Sequence, residues 1–282
     1  MRASRGLVLG CAVLVLFTCF VAEAKDQSGA KTILVDCAKR DSINEALEDK
    51  SDELIIEISG TCQADVVIER NTVTLRGAGS GATVVAASST AIFLDRVSRV
   101  SIENLTVQGG LEEPGEIGGA GIIVWFSTGV SVSNLVVEND QGKGMTVVGS
   151  EVVISDSVFQ DTNGYGLQGN QSSLFFLGEV ELLNNRFEGL LLSFGSRLTS
   201  PAAIRAIDNG EHGIALGEHS SATLYSVEVT DNVSDGISVG RGSVLVLGDV
   251  EVSNNRNGMM AMNGGQIHVA EEGGVAHVHD NT

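Results

Sequence analysis

A short motif, consisting of glycine, an apolar residue, any residue and a second apolar residue, recurs through most of the chain. It begins at Gly121, Gly144, Gly166, Gly189, Gly213, Gly236 and Gly258. Successive copies lie 22 to 24 residues apart, and Ala91 begins the same motif 30 residues before Gly121. A period of this length indicates a stack of similar units, because one unit is too small to bury its own apolar side chains.

Each unit contains two further short apolar runs. The middle run is illustrated by residues 130–132 and 152–154, and the closing run by residues 180–182 and 227–229. β-Branched residues dominate the runs, and Gly, Asn, Asp and Ser separate them, which is typical of strands. A helix needs about 10 residues or more, so these runs are too short for helices. The sequence therefore predicts an all-β solenoid with three strands per coil, whose equivalent strands form parallel sheets.

Pairs of Asn and Asp residues recur at the ends of the coils. They are Asn184–Asn185, Asp208–Asn209, Asp231–Asn232 and Asn254–Asn255, and a second series is formed by Asn104, Asn134 and Asp156. Equivalent turns of a solenoid lie on top of each other, so these polar side chains can hydrogen-bond backbone groups that no sheet covers. We therefore expect these residues to be structural.

The sequence resembles the right-handed parallel β-helix, or pectin-lyase-like, superfamily in its bacterial repeat-protein form. Residues 208–232, DNGEHGIALGEHSSATLYSVEVTDN, resemble the generic coil, and residues 37–79 resemble the usual opening of a short helix, a strand, Gly-Thr-Cys and a first coil. The resemblance implies eight to nine coils of about 23 residues and a short N-terminal capping helix. It predicts the fold rather than a reaction, because lyases, hydrolases, epimerases and inert scaffolds share this fold.

Three segments are predicted along the chain. They are a signal peptide at residues 1–24, an N-terminal cap at residues 25–63 and the β-helix domain at residues 64–282. Two arginines precede an apolar run that ends at the small-x-small site Ala22–Ala24, which is typical of a cleavable export signal. We expect a secreted, periplasmic or cell-surface protein without a membrane span in the mature chain; a retained anchor is the alternative.

The predicted cap contains a helix start and a pair of cysteines. Ser42 and Glu45 form a capping box, which begins a short helix over the open end of the core. Cys37 and Cys62 flank this segment. In an exported chain such a pair indicates a disulfide, and the alternative is two buried free thiols.

The charge of the chain narrows the choice of partners. There are 36 acidic residues against 17 Lys and Arg, so the formal net charge is -19. This excess disfavours nucleic acid and anionic membrane surfaces, because both are bound by clustered Lys and Arg. It also disfavours a bare polyanionic polysaccharide unless Ca²⁺ bridges it. We expect no cofactor, and Ca²⁺ on the acidic turns is left open although no EF-hand type of loop is present.

The resemblance implies that a ligand would contact the outward residues on the first strand of each coil. Alternation along a strand predicts that this row consists of Phe93, Ile123, Trp125, Thr146, Gln168, Leu191, Ala215, Ser238 and Met260. The row contains no ionisable side chain. A glycosidase needs two carboxylates, and a lyase needs a base and a positive charge. The pattern therefore favours a binding surface.

Two aromatic side chains mark the candidate ligand-binding part of this row. Trp125 is the only tryptophan, and Phe93 lies about one coil away. Flat aromatic rings pack well against sugar rings. The inserted segment 109–119 would overhang the same face and adds the candidates Glu112, Glu113 and Glu116. The alternative is that Trp125 packs beneath this insertion as local core.

Candidate catalytic residues lie in the turns around one first strand. His212 and His219 flank the strand that follows Gly213, and Arg241 occupies the turn one coil after His219. A histidine next to a carboxylate is the minimum for general-base catalysis, and a glutamate adjoins each histidine. The alternative is that all three are solvated turn residues.

Candidate metal ligands lie on the closing strands near the end of the chain. His277 and His279 share one side of a strand, and Glu251 is expected one coil below them. Such a set can bind a transition metal if three or more ligands converge. The alternative is a solvated terminal strand.

These patterns leave three functional hypotheses. The favoured one is an exported, non-catalytic module that binds glycan or another surface component. The second is a carbohydrate-active enzyme, a polysaccharide lyase or epimerase, and it rests on fold analogy. The third is a scaffold that assembles through its last coil, because residues 276–281 end a coil without a capping helix after it and open coil ends invite association.

Overall fold

A computed structural model describes residues 29–79, 81–109, 119–138, 141–270 and 274–282. In these residues the chain winds into a parallel β-solenoid of about ten turns with almost no helix. The predicted fold is confirmed, and the turn count roughly matches the prediction. The predicted signal peptide, residues 1–24, lies outside the described residues.

The strands form three faces. The first face contains Val66–Ile68, Thr90–Asp95, Ala120–Trp125, Lys143–Val148, Leu167–Asn170, Leu190–Ser193, Ile214–Leu216, Asp235–Val239 and Asn257–Ala261. The second face contains Lys31–Asp36, Leu54–Ser59, Val73–Gly77, Ser98–Glu103, Thr128–Ser133, Glu151–Ser155, Ser173–Phe176 and Gln266–Val269. The third face contains Thr61–Gln63, Thr83–Val85, Thr106–Gln108, Val136–Glu138, Ser157–Gln160, Val180–Leu183 and Ala276–His279. Three longer strands pass through the corner between the second and third faces: Arg197–Ile207, Ser221–Thr230 and Val244–Ser253.

Parallel pairing in register builds one core inside the solenoid. On the first face Val124 pairs with Leu94 on one side and with Val147 on the other, and all three side chains are fully buried in the core. Ile123 and Thr146 form the alternate row, which faces away from this core, as the sequence predicts. The outward row is not uniformly exposed, because Ile123 and Thr146 are themselves buried.

The N-terminal cap joins the same stack. The strand Lys31–Asp36 pairs with Leu54–Ser59 of the second face, and the short helix Ile43–Leu47 lies between them in sequence. The Ser42 hydroxyl accepts the Glu45 amide N–H at 3.3 Å, so the predicted helix start is confirmed. This helix contacts the first strand of the first face, Val66–Ile68, and closes that end of the core.

The cap is tied to the first coil by a disulfide. Cys37 lies in the 3₁₀ turn Cys37–Lys39, and Cys62 lies in the first strand of the third face. The two residues are bonded, with 5.1 Å between their Cα atoms, which confirms the predicted pair. Within the described ranges no helix has the length and apolar character needed to cross a bilayer.

Asparagines stack in the corner between the third and first faces. The members of this ladder are Asn185, Asn209, Asn232, Asn255 and Asn281. The Asn209 carboxamide oxygen accepts the Asn185 backbone N–H at 3.1 Å, and the Asn209 side-chain amide donates to Asn232 Oδ1 at 2.9 Å. The preceding residue, Asp208, adopts the left-handed conformation with φ 57°. The predicted structural role of these pairs is therefore confirmed.

The repeat glycine packs against this ladder. A Cβ atom on Gly236 would lie 2.6 Å from Val252 Cγ1, 2.7 Å from Asn255 Nδ2 and 2.8 Å from the Gly258 carbonyl oxygen. Real Cβ atoms do not approach other atoms this closely. The other repeat glycines have equally close neighbours, so glycine begins these copies of the motif because the packed surroundings leave no room for a side chain.

Candidate functional site

The first face has two edges that organise its outward side. We call the edge where its strands begin the leading edge, and the edge where they end the trailing edge. Residues at equivalent positions repeat across strands at about 4.8 Å. Each edge therefore presents a row of side chains parallel to the solenoid axis.

The trailing edge carries Trp125 among polar neighbours. In strand register Trp125 lies beside Asp95 of the coil before and Val148 of the coil after, and Asn170 and then Ser193 continue the row. Trp125, Asp95 and Asn170 are half-buried. The Trp125 ring is therefore neither enclosed as core nor fully solvated.

Unpartnered polar atoms gather on the outward side of this face. Among the described residues, four buried side-chain polar atoms lack a hydrogen-bond partner: Ser51 Oγ, Asp95 Oδ1, Thr146 Oγ1 and Asn170 Oδ1. Only Ser51 lies away from the first face. Buried polar atoms are nearly always paired in folded proteins, so this grouping beneath the outward side of the first face is unusual and leaves hydrogen-bonding capacity that the chain does not use itself.

Exposed aromatic rings extend the trailing edge into the neighbouring corner. Phe126 follows Trp125 and is 49% exposed, and the two rings meet edge to face with their centroids 5.2 Å apart. Phe194 follows Ser193 in a later coil and is 58% exposed. Phe93, the second predicted contact, is half-buried and pairs with Ile123, diagonally adjacent to Trp125. The structure thus places Phe93 and Trp125 together and adds Phe126 and Phe194, which the sequence analysis missed.

The leading edge carries a column of polar and titratable side chains that the sequence analysis missed except for His212. Its members directly precede the repeat glycines and are Lys143, Tyr165, Glu188, His212, Asp235 and Asn257. This column could be predicted from the sequence, because the position directly before the glycine repeats at the same spacing as the motif. It was overlooked because the predicted outward row begins after the glycine.

The leading-edge column is held by contacts between successive coils. The Tyr165 and Phe187 ring centroids are 5.6 Å apart, and Lys143 Nζ lies 5.9 Å from the Tyr165 centroid. Burial, together with repulsion from Glu211, raises the pKa of Glu188. A carboxyl group with a raised pKa is a candidate for proton transfer.

His212 is engaged in a way that favours a structural role. Its Nδ1 accepts the Asp235 backbone N–H at 3.2 Å and lies 3.4 Å from Asp235 Oδ2. The Asn257 side-chain amide donates to the other Asp235 oxygen at 2.6 Å. These contacts link three coils, and Asp235 is buried. His212 thus joins coils rather than presenting an imidazole that the carboxylate orients toward a ligand.

The other two catalytic candidates lie at the opposite edge. The His219 backbone N–H donates to the Arg241 carbonyl oxygen at 3.0 Å, so these residues are neighbours in successive coils, as predicted. Both side chains are exposed, and the Arg241 guanidinium pairs with Glu218. His212 precedes the strand Ile214–Leu216 and His219 follows it, so the structure does not bring the two histidines together.

The candidate metal ligands are loosely arranged. Glu251 pairs in register with His277, while the nearer imidazole is that of His279, whose Nε2 is 3.8 Å from Glu251 Oε1. His279 Nδ1 contacts Asp280 Oδ2 at 2.8 Å. In the described ranges no three His, Cys, Asp or Glu side chains are grouped closely enough to hold a metal ion. The predicted ligands Glu112, Glu113 and Glu116 lie outside the described residues.

A groove of about 1100 Å³ runs along the corner between the third and first faces. Its polar groups are already paired across coils. The Asn184 amide donates to Asp161 Oδ1 at 2.6 Å, and the Arg186 guanidinium donates to Asn163 Oδ1 at 2.8 Å. Internal pairing makes this groove a weaker ligand site than the trailing edge, where acceptor atoms lack partners.

The profile of the right-handed β-helix region matches residues 49–200, just over half of the chain. The chain belongs to the right-handed β-helix family. A comparison with curated protein sequences finds no match. The family assignment agrees with the fold described above.

Two solved structures show the same architecture as this right-handed β-helix protein. The enzymatically active domain of tailspike protein 2 from bacteriophage CBA120 matches with a TM-score of 0.63 and 13% identity over 77% of this chain and 38% of that one. Pectate lyase Pel9A matches with a TM-score of 0.51 and 12% identity over 90% of this chain and 80% of that one. The chain thus spans less than two fifths of the tailspike chain. At these identities the likeness is one of fold.

Proposed function

We propose that this right-handed β-helix protein is an exported module that binds glycan at the trailing edge of its first face. The observation that carries the proposal is that Asp95 Oδ1, Thr146 Oγ1 and Asn170 Oδ1 all lack partners on the outward side of the sheet that carries Trp125. Leaving a buried polar atom unpaired costs about 1–3 kcal/mol. A ligand rich in hydroxyl groups supplies the missing donors, and its apolar ring faces pack on the tryptophan.

One structural neighbour supports carbohydrate as the ligand class, because it is named as a pectate lyase. The other is named only as an enzymatically active tailspike domain. The Cys37–Cys62 disulfide supports an exported location, because such bonds persist in oxidising compartments. A reaction is not part of the proposal, since His212 is held between coils and His219 is an exposed turn residue.

The test is retardation of the purified protein in gels that contain single polysaccharides, with and without Ca²⁺. Trp125→Ala should weaken binding by about tenfold or more, because an aromatic contact and its buried area are both lost. Tyr225→Ala is the matched control. Tyr225 is 57% exposed and lies within the long strand Ser221–Thr230, away from the first face.

Three outcomes would contradict the proposal. They are no retardation by any polymer, equal losses in Trp125→Ala and Tyr225→Ala, and new reducing or unsaturated ends in the bound polymer. The last outcome would favour the enzyme hypothesis, and His219→Ala would then be tested for loss of turnover. Retardation that requires Ca²⁺ would assign the cation a bridging role.

A further inference from the structure

The exposed aromatic rings of the trailing edge lie in a line along the solenoid, and their separation and the charged side chains near them further define the ligand. We infer that the ligand is a neutral polysaccharide that lies parallel to the solenoid axis, from the Trp125–Phe126 pair to Phe194. The inference rests on the proposed function and adds the class, orientation and minimum length of the glycan.

Two exposed aromatic sites set the direction. Phe126 and Phe194 occupy the same corner of the solenoid, three coils apart, as the ladder of backbone bonds from Phe126 through Gly149 and Gln171 shows. Three strand spacings amount to about 14 Å. An extended glycan along the axis can therefore contact both rings, whereas a disaccharide is too short to bridge them.

The Phe126 ring points along this path. A Cβ atom on Gly149, one coil further on, would lie 2.6 Å from the Phe126 ring. The ring thus lies against the next coil at a position where glycine leaves space for it. Together with Trp125, which it meets edge to face, it forms an aromatic platform that covers two coils.

Acceptor atoms lie on both sides of this platform. Asp95 is one coil before Trp125, and Asn170 is two coils after it, in the same row. Both side chains are half-buried as a whole while their unpartnered oxygens are covered, so a glycan hydroxyl reaches either oxygen only after a side-chain shift. Hydroxyl groups of a glycan would donate to these oxygens.

The charged groups at this edge favour a neutral ligand. Arg96 pairs with Asp95 at 3.0 Å and Arg241 pairs with Glu218, whereas the exposed Arg99 and Arg197 lie on the adjoining strands of the second face. Two of the unpartnered atoms, the Asp95 carboxylate oxygen and the Asn170 amide oxygen, accept hydrogen bonds and so favour donors over anions, while the third, the Thr146 hydroxyl, can donate or accept. The net charge of -19 repels a polyanion as well.

The experiment compares polymers of both charge classes and then two chain lengths. Gels would contain neutral polymers (β-glucan, xylan and galactomannan) or anionic ones (polygalacturonate and alginate). For a retained neutral polymer, titration calorimetry would compare its disaccharide with its hexasaccharide. We expect retention by a neutral polymer, and about tenfold tighter binding of the hexasaccharide, because it contacts both aromatic sites.

The decisive variant is Phe194→Ala, with Tyr225→Ala as the control of equal exposure. Phe194→Ala should remove the advantage of the hexasaccharide and leave disaccharide binding unchanged, while Tyr225→Ala should change neither. Equal behaviour of the two variants, retention only by anionic polymers, or equal binding of both chain lengths would overturn the inference. In each of these cases loss of binding in Trp125→Ala would still support the proposed function. No retention by any polymer would remove both.

Discussion

At the scale of single residues, one buried asparagine per coil hydrogen-bonds backbone groups that no strand pairs. Asn209 donates to the Leu182 carbonyl oxygen at 3.0 Å and to Asn232 Oδ1 at 2.9 Å, and its own oxygen accepts two N–H groups from Asn185. These groups lie in a corner that the sheets do not cover. The side chain therefore replaces backbone pairing at the turn.

Asn209→Ala should lower the free energy of unfolding by about 2–4 kcal/mol, because four hydrogen bonds are lost and buried groups of the adjacent coils become unpaired. Chemical denaturation followed by circular dichroism measures this loss. The control is Asp208→Asn, which retains a residue tolerant of the left-handed conformation and should stay within about 0.5 kcal/mol of wild type. Equal effects of the two substitutions would argue against the ladder.

Glu188 gives the fold a pH dependence of known sign. Its pKa is raised by burial, so the folded state holds the proton more tightly than the unfolded state. The protonated carboxyl therefore stabilises the fold below the unfolded-state pKa, and this contribution is lost as the pH rises through the folded-state pKa.

Glu188→Gln, which mimics the protonated side chain, should therefore raise the Tm at neutral pH. The gain should shrink as the pH falls through the raised folded-state pKa of Glu188, and it should vanish below the ordinary glutamate pKa of about 4.3, where wild-type Glu188 is protonated in both states. Calorimetric Tm values across the pH range provide the test, with the exposed Glu151→Gln on the second face as control. A gain that is independent of pH would contradict the assignment.

At the scale of elements, a second ladder, made of serines, joins successive coils by hydrogen bonds in another corner, as the asparagine ladder does. Ser127, Ser150, Ser172, Ser196, Ser220 and Ser243 are all buried between the first and second faces. The Ser127 backbone N–H donates to Ser150 Oγ at 2.9 Å, and the Ser220 N–H to Ser243 Oγ at 3.1 Å. The sequence analysis missed this ladder, because isolated serines are also common in turns that do not stack.

The N-terminal cap is the element whose attachment can be tested most directly. The disulfide joins residues 25 positions apart, and closing a loop of this size contributes about 3 kcal/mol in the chain-entropy description. The double variant Cys37→Ser with Cys62→Ser should therefore unfold at a lower denaturant concentration. Reductant should destabilise wild type by a similar amount and leave the double variant unchanged. If reductant acts equally on both proteins, the bond does not stabilise the cap.

At the scale of the whole molecule, stability is distributed along one axis. Each coil packs mainly on its neighbours, so equivalent residues stack and the same turn conformations and hydrogen bonds recur from coil to coil. In the last coil Val278 pairs with the fully buried Val252 yet is 46% exposed. Assembly through this coil stays a prediction, as do the catalytic and metal-binding roles considered for other residues.

The sequence by itself determined the coil period, the three strands per coil, the helix start at Ser42 and the structural role of Asn209. Those features are local or repeat at a constant spacing, so they are visible without knowing which residues meet. Only the tertiary structure decided that Asp95, Trp125 and Asn170 form one row and that Phe194 continues it. Their spacings along the chain differ because the coils differ in length, and strand register, not sequence distance, brings them together.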